Sequence, residues 1–330
     1  MPEVSILMPS YNHELYIGEA IESILNQSCT DWELIIVDDA SRDGSADIIR
    51  AYQRQDARIA ALFHESNAGV PQTLNDAMDL ATGTYVGICS SDDLWFENAI
   101  EILLDRVHEH ENEVVMGSGI TVDKTGHHKI GYLHSERIDD DYTRTSGDIL
   151  DELLRRLGPY FFIQTMMVKR DLVADIHLDE AFQSMYEYAY FLELATRYHY
   201  YFTDDMIFKH RIHGDNQTFK VEPHSPRMER ARLGRIYLDR CSSRLSQPTQ
   251  IRLCHAILKD ALSRRDFNEI RHYMLYMIAM NPELAGPVRN ALIQGRDPAS
   301  VGISLDPGEK VSFSLADIRL SLPDLEALQT

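Results

Sequence analysis

In the stretch YVGICSSDDLWF (85–96) a short apolar run ends on two serines and two adjacent carboxylates, Asp92 and Asp93. Side by side the two acids repel each other, and an unpaired carboxylate is costly to bury. Their place at the tip of a core strand therefore asks for a ligand or a cap. A divalent cation carrying a diphosphate is one answer. Carboxylate oxygens select Mg²⁺ or Mn²⁺, which keep water and phosphate oxygens in their remaining positions. One acid would hold the ion while the other accepts a hydrogen bond from a hydroxyl, as a sugar nucleotide requires. The plainer answer is that the pair caps the helix that follows, where Asp is favoured. Taken alone, SSDD does not choose between them.

Three other polar stretches punctuate the chain in the same way: PSYN (9–12), DDAS (38–41) and SNAG (66–69). Asp38 and Asp39 precede Gly44, so turn chemistry is an alternative for them, a fuller account of Asp38 than of Asp39. The elements that carry these stretches alternate. VSILM (4–8), ELIIVDD (33–39), IAALFHE (59–65), YVGIC (85–89) and EVVMGSG (113–119) read as strands. Between them, Ile17, Ala20, Ile21, Ile24 and Leu25 share one helical face, and 45–55, 70–83 and about 96–110 read as further helices. Gly83 is expected to close the third of these as a C-terminal cap. This alternation predicts a parallel, doubly wound α/β sheet whose ligands gather at the carboxyl ends of the strands. One cleft lined by all four polar stretches follows.

Beyond residue 120 the pattern loosens. A polar loop (123–148) precedes a helix at 148–158 and a strand-like run, FFIQTMMVKR (161–170). The segment 178–198 starts as a loop and turns helical, YYFTDDMIF is a short strand, and 227–282 read as three helices without strands. Two of these form a hairpin pattern of the tetratricopeptide type in a single copy.

Bulk properties narrow the function classes. The formal net charge of the 330-residue chain is −20, which disfavours a nucleic-acid backbone as partner, since that binding rests on Lys and Arg neutralising phosphates. Four cysteines without CxxC spacing suggest reduced thiols and neither a disulfide framework nor a zinc site. MPEVSILMPSYN lacks the basic and long apolar segments of a signal peptide, so a cytoplasmic chain is expected. Residues 222–272 hold eleven Lys and Arg against six Asp and Glu. That tract is either a solvated face or a contact with an anionic membrane surface, the latter making the protein peripheral at the inner face of the membrane. There is no GxxxxGK[ST] phosphate loop, and GSGITV (117–122) is a poor dinucleotide fingerprint.

Five stretches in order, VSILMPSYNHELYIGEAIESILNQS, ELIIVDDASRDGS, SNAGVPQTLNDAMDLATGTYVGICSSDD, LDEAFQSMYEYAYFLELA and HRIHGDNQT, resemble the family 2 type inverting glycosyltransferases of the GT-A fold, which include bacterial polysaccharide and O-antigen enzymes. The resemblance covers about residues 3–219. It implies a GT-A catalytic domain over 1–220, with a nucleotide-binding half to about 115 and an acceptor half over 116–220; the helical C-terminal region over 221–330, read from the pattern of 227–282, lies beyond the resemblance. It implies that Pro9 and Tyr11 shape the nucleotide pocket and that Asp39, beside Asp38, accepts the N3–H of uracil. Asn67 and Gly69 match a loop near the base. Asp92 takes the ribose or phosphate role and Asp93 the metal-ligand role, with His213 of Arg211-Ile212-His213 a second candidate for the ion or diphosphate. Glu187 falls at the second acid of the family's helix-opening motif and is expected to act as general base, its alternative being a surface Glu at the positive end of a helix. Glu180 and Asp179, a turn earlier, are rivals for the base and fit better as residues that orient the acceptor.

The implied activity is metal-dependent transfer, with Mn²⁺ or Mg²⁺, of a sugar from a UDP-sugar to a hydroxyl of a saccharide or lipid-linked saccharide acceptor. Two positions depart from the family pattern. Ser90 stands where many relatives carry an acid, and Leu74 precedes Asn75 where many carry Arg. They leave a non-catalytic sugar-nucleotide-binding protein as the alternative. A phosphoryl-accepting receiver domain is disfavoured, because the acid pair DDAS lies on the second strand and no strand-end Lys follows SSDD. Neither donor sugar, linkage nor oligomeric state is readable, and a homo-oligomer stays open.

Overall fold

The structure is a computed structural model that describes residues 1–132, 146–157, 161–182, 184–214, 216, 225–264, 266–280, 301–306 and 309–313. The chain divides into two compact units, Met1–Ile149 with Pro159–Val221, and Leu150–Gly158 with Glu222–Thr330.

The first unit opens with β1 (Val4–Ser10), α1 (Ile17–Leu25), β2 (Trp32–Asp38), α2 (Ser45–Gln55), β3 (Ile59–Phe63), α3 (Val70–Leu80) and β4 (Tyr85–Ile88). β3, β2, β1 and β4 lie side by side in parallel, with Val4 opposite both Trp32 and Tyr85. β1 and β2 are buried along almost their whole length, which is why VSILM and LIIV read as unbroken apolar runs rather than alternating ones. α1 buries Ile17, Ala20, Ile21 and Ile24, one stripe at helical spacing. Each fully buried Ile or Leu of this kind contributes roughly 1.5–3 kcal/mol.

The sheet then becomes mixed. β5 (Leu94–Trp95), α4 (Ala99–Glu109), β6 (Val114–Val122), β7 (Lys129–Tyr132), β8 (Met166–Lys169), α6 (Arg170–Val173), α7 (Tyr186–Arg197) and β9 (Tyr200–Arg211) complete the unit; α5 (Leu150–Arg156) belongs to the second. β8 pairs antiparallel with β4 and β6, β9 runs parallel to β6, and β5 and β7 add antiparallel edges. The sheet is thus parallel over β3-β2-β1-β4, as the strand–helix alternation predicts, and mixed beyond it. The expected strand at 161–170 is shorter than its apolar run, because a 3₁₀ turn (Ile163–Thr165) precedes β8.

Gly83 does not cap α3. That helix ends at Leu80 with Ala81 extended behind it. Gly83 is required instead by a close approach: a Cβ there would stand 2.6 Å from the Ser5 backbone nitrogen. Its N–H donates to Ser5 Oγ at 2.8 Å.

The second unit contains α5 (Leu150–Arg156), α8 (Ser225–Cys241), α9 (Gln247–Arg264) and α10 (Phe267–Met280), the last three being the expected run of three helices. Arg235 bridges Asp260 and Glu269, and Arg264 pairs with the same two acids; both acids are among the six already counted in 222–272, so these pairs leave the local basic excess as it is. β10 (Val301–Asp306) and β11 (Glu309–Phe313) form an antiparallel pair, an element the helical reading of 221–330 did not include. Among the described residues no helix is long and apolar enough to cross a membrane.

Candidate active site

Each residue of Ser90-Ser91-Asp92-Asp93 meets a different partner. Just beyond β4 the chain turns, and the Asp93 N–H donates to the Ser90 carbonyl at 3.1 Å. Gln164, on the 3₁₀ turn before β8, donates to Ser90 Oγ at 2.8 Å. Ser91 Oγ lies 2.8 Å from Nδ1 of His13, in the loop after β1. Asp92 Oδ2 is 3.1 Å from Nε2 of His213, just after β9, and 3.8 Å from Nε2 of His13. Asp93 Oδ1 accepts the Arg211 backbone N–H at 2.8 Å and stands 3.3 Å from His210 Nδ1.

The two acids of the pair are therefore unlike. Burial alone would raise the pKa of Asp92, but the His213 hydrogen bond and the attraction of the His13 and His213 imidazoles outweigh it and hold it low. Burial and the neighbouring Asp92 charge push Asp93 up, against the pull of His210 and the Arg211 N–H. Arg211 is itself buried. Its Nε donates to the Asp92 carbonyl at 2.9 Å, Nη1 to the Lys124 carbonyl at 3.1 Å, and Nη2 to Glu19 Oε2 at 2.7 Å. A rigid fork with five donors ties the ends of β4 and β9 to α1.

His13, Asp92 and His213 each offer a ligand atom, and the three atoms lie within 4.8 Å of one another, a grouping able to hold a divalent cation. Asp93, the residue expected in the metal role, is outside this group. His213 is fixed by stacking on Tyr16, with ring centroids 4.4 Å apart, and by its backbone N–H donating to Asn216 Oδ1 at 2.6 Å.

The carboxyl end of β2 forms a second group. Asp38 does turn chemistry: its carboxylate accepts the Ser41 N–H at 3.0 Å and hydroxyl at 2.6 Å. Asp39 is buried and points to the loop after β3, where it accepts the backbone N–H groups of Ala68 at 2.7 Å and Gly69 at 2.9 Å. His64 bridges Asp39 at 2.8 Å and Asp76 at 2.9 Å. Asn67 Nδ2 donates to the Asp39 carbonyl at 3.3 Å. Gly69 has φ +88°, a left-handed conformation that a side chain would strain. Pro9 lies in β1 one residue before Ser10, whose carbonyl accepts the Asp39 N–H at 2.8 Å, and Tyr11 beyond it is 41% exposed. Leu74 is core, 2% exposed, and Asn75 clasps the Leu178 backbone through both ends of its amide.

Glu187 opens the first turn of α7. Burial raises its pKa from an ordinary 4.5 to about 7, and the nearby Asp93 charge adds to this. The Tyr186 hydroxyl donating at 3.3 Å, His210, and a backbone hydrogen bond from Ile163 act the other way. A carboxylate with a pKa near neutrality is suited to general-base work. Glu180 is exposed in the loop before α7, and Asp179 accepts the Ala181 N–H at 2.9 Å, a local turn.

His13, Ser91, His64, His210 and Gln164 were not singled out from sequence. His13 carried one signal: it sits two residues beyond Tyr11, where a strand's carboxyl end presents its next side chains. His64 becomes visible through the pairing of β2 and β3, and Ser91, His210 and Gln164 through the packing of β4, β8 and β9 around the strand ends.

The sequence model described as Glycosyl transferase family 2 matches residues 5–177. Glycosyltransferase GlyG of Streptococcus pneumoniae serotype 4 is 31% identical over 181 residues, covering 53% of this chain and 59% of that protein. The Escherichia coli UDP-Glc:alpha-D-GlcNAc-diphosphoundecaprenol beta-1,3-glucosyltransferase WfgD is 33% identical over 115 residues, 35% of this chain and 45% of that one. The chain thus spans about half the length of these curated relatives. Among solved structures, S. aureus TarS 1-349 in complex with UDP-GlcNAc superimposes with a TM-score of 0.59 at 18% identity, covering 93% of this chain and 98% of that one. The mannosyltransferase PcManGT from Pyrobaculum calidifontis, in complex with GDP-Man and Mn²⁺, gives 0.51 at 18% identity over 89% of this chain and 81% of that one. At these identities the two structures speak for the fold.

Proposed function

The chain belongs to glycosyl transferase family 2, and from that premise we propose that it transfers a sugar from a nucleoside diphosphate, UDP first, to a hydroxyl of a saccharide or lipid-linked saccharide, with inversion at the anomeric carbon. The observation that carries this reading is a partly buried carboxylate with a pKa of about 7, Glu187, at the start of a helix and within electrostatic reach of the acid pair at the β4 end.

Glu187 takes the proton from the acceptor hydroxyl as its oxygen attacks the anomeric carbon. A single displacement on the face opposite the leaving diphosphate inverts the stereochemistry. Tyr186 and the Ile163 N–H hold the Glu187 carboxylate in place. On the donor side Asp39 shapes the loop 66–69 through two backbone hydrogen bonds and so sets the wall against which a base would lie. Asp92 and His213 are the residues that would hold a divalent cation, and their donor atoms fit one. When bound, such an ion neutralises charge on the departing diphosphate. The UDP-sugar reading is supported by the UDP-Glc in the name of WfgD and the UDP-GlcNAc bound to TarS, and the ion by the Mn²⁺ bound with PcManGT. The expected peripheral place at a membrane is in keeping with a lipid-linked acceptor of the WfgD kind.

The test is a thermal-shift panel of UDP, GDP, dTDP and CDP, each with and without Mn²⁺, since a ligand that binds only the folded state raises its Tm. A shift with UDP that needs Mn²⁺ and disappears in Asp92→Ala is expected. A larger shift with another nucleotide overturns the assignment to UDP, and no shift with any of them overturns the enzyme reading.

A further inference from the structure

We infer that His13 is a metal ligand, that Ser91 is the residue that aims it, and that the resulting set of two imidazoles and one carboxylate makes this site select Mn²⁺ over Mg²⁺. The proposal rests on the reading of the cleft as a sugar-nucleotide site, and it replaces the expectation that Asp93 binds the ion.

Geometry carries it. Nε2 of His213 is 3.1 Å and Nε2 of His13 is 3.8 Å from the same oxygen of Asp92. Metal–ligand bonds of about 2.0–2.2 Å put neighbouring ligand atoms on one ion roughly 3–4 Å apart. The three side chains come from three strand ends far apart in sequence, so their convergence is a product of the sheet. The ring of His13 is held at its other nitrogen: Nδ1 meets Ser91 Oγ at 2.8 Å, which leaves Nε2 toward Asp92. That is how an outer hydrogen bond fixes a ligating histidine. Asp93 is engaged elsewhere, its Oδ1 accepting the Arg211 N–H with His210 beside it.

Chemistry then sets the ion. Mg²⁺ demands oxygen ligands and dehydrates reluctantly, whereas divalent transition metals accept imidazole nitrogen, Mn²⁺ the most weakly of that series yet better than Mg²⁺. With two of three protein donors nitrogen, Mg²⁺ has only Asp92 and water to bind.

Mn²⁺ is titrated into the full chain with and without UDP and followed by continuous-wave and pulsed EPR, with Mg²⁺ as competitor and thermal unfolding as a folding control. Wild type is expected to prefer Mn²⁺ over Mg²⁺ at least tenfold and to show ¹⁴N modulation from two imidazoles. His13→Ala, and His13→Asn should the first fold poorly, lose one imidazole signal and about tenfold in Mn²⁺ affinity. Ser91→Ala keeps all three ligands yet weakens Mn²⁺ about tenfold, the usual cost of an outer-shell partner. His13→Asp narrows the gap between the two ions. A wild-type spectrum without ¹⁴N modulation, an unchanged one in His13→Ala, or equal affinity for Mg²⁺ overturns the proposal. UDP bound with no Mn²⁺ beside it overturns this inference and leaves the nucleotide reading standing. No nucleotide bound at all sinks the reading beneath it.

Discussion

Replacing Glu187 by Gln should separate catalysis from stability, because the structure makes this carboxylate useful and costly at once. With a folded-state pKa of about 7 against an ordinary 4.5, Glu187 holds its proton more tightly in the folded than in the unfolded chain. Folding is therefore penalised as pH rises from about 4.5, and the penalty is complete above about 7. At pH 8 the difference corresponds to about 3 kcal/mol at ~1.4 kcal/mol per pKa unit. Residual exposure of the side chain reduces this to roughly 1–3 kcal/mol. Gln is close in shape, still accepts from the Tyr186 hydroxyl and the Ile163 N–H, and carries no charge. Glu187→Gln is thus expected to raise Tm at pH 8 by about 2–6 °C for a chain of this size. At pH 5, where the folded wild type is protonated, the gain largely disappears. Removal of a general base should meanwhile lower the rate of sugar transfer by about 10²–10⁴, read as release of UDP from the UDP-sugar that the wild type uses, with UDP affinity retained. The wild-type rate should climb between pH 6 and 8 with an inflection near 7. Undiminished transfer in the variant would remove Glu187 from the role of base. Unchanged or lower stability at pH 8 would refute the claim that its carboxylate is held against desolvation.

Three further outcomes follow from contacts in the first unit. Asp39→Asn puts an amide where two backbone N–H groups and His64 converge, so hydrogen exchange at Ala68 and Gly69 should quicken and calorimetric UDP affinity fall about tenfold, at roughly 1–3 kcal/mol for a buried group left unsatisfied. Arg211→Lys cannot serve the Asp92 carbonyl, the Lys124 carbonyl and Glu19 together. Its urea midpoint should drop by an amount equivalent to about 1–3 kcal/mol, the usual cost of leaving buried polar groups unsatisfied. Gly83→Ala pushes a methyl group against the Ser5 backbone, which cannot yield without disturbing β1, and the denaturation midpoint should fall by an amount equivalent to about 1–3 kcal/mol or more.

Much of this molecule is local and was legible along the chain. The unbroken apolar runs of β1 and β2 and the 3.6-residue stripe of α1 are short-range patterns, and each reports its own burial. The order of strand and helix then makes a parallel sheet the economical packing, with its polar tips on one edge. The turn chemistry of Asp38 is local too, because its partner Ser41 is three residues away. Gly83 misled because a glycine after a helix has two explanations, a left-handed cap or a close neighbour, and the neighbour was Ser5 on a different strand. The same distinction divides the site. That Asp92 and Asp93 would have unlike fates could not be read from two identical residues, since their difference lies entirely in what faces them: His13 and His213 on one side, the Arg211 backbone on the other. Those partners arrive from β1 and β9, about 80 residues before and 120 after in the chain. Sequence by itself determined which edge of the sheet would carry the chemistry, because strand polarity and burial are written in neighbouring residues. Only the tertiary structure decided which carboxylate is left open to a ligand, because desolvation and hydrogen bonding depend on groups that the fold, not the chain, makes adjacent.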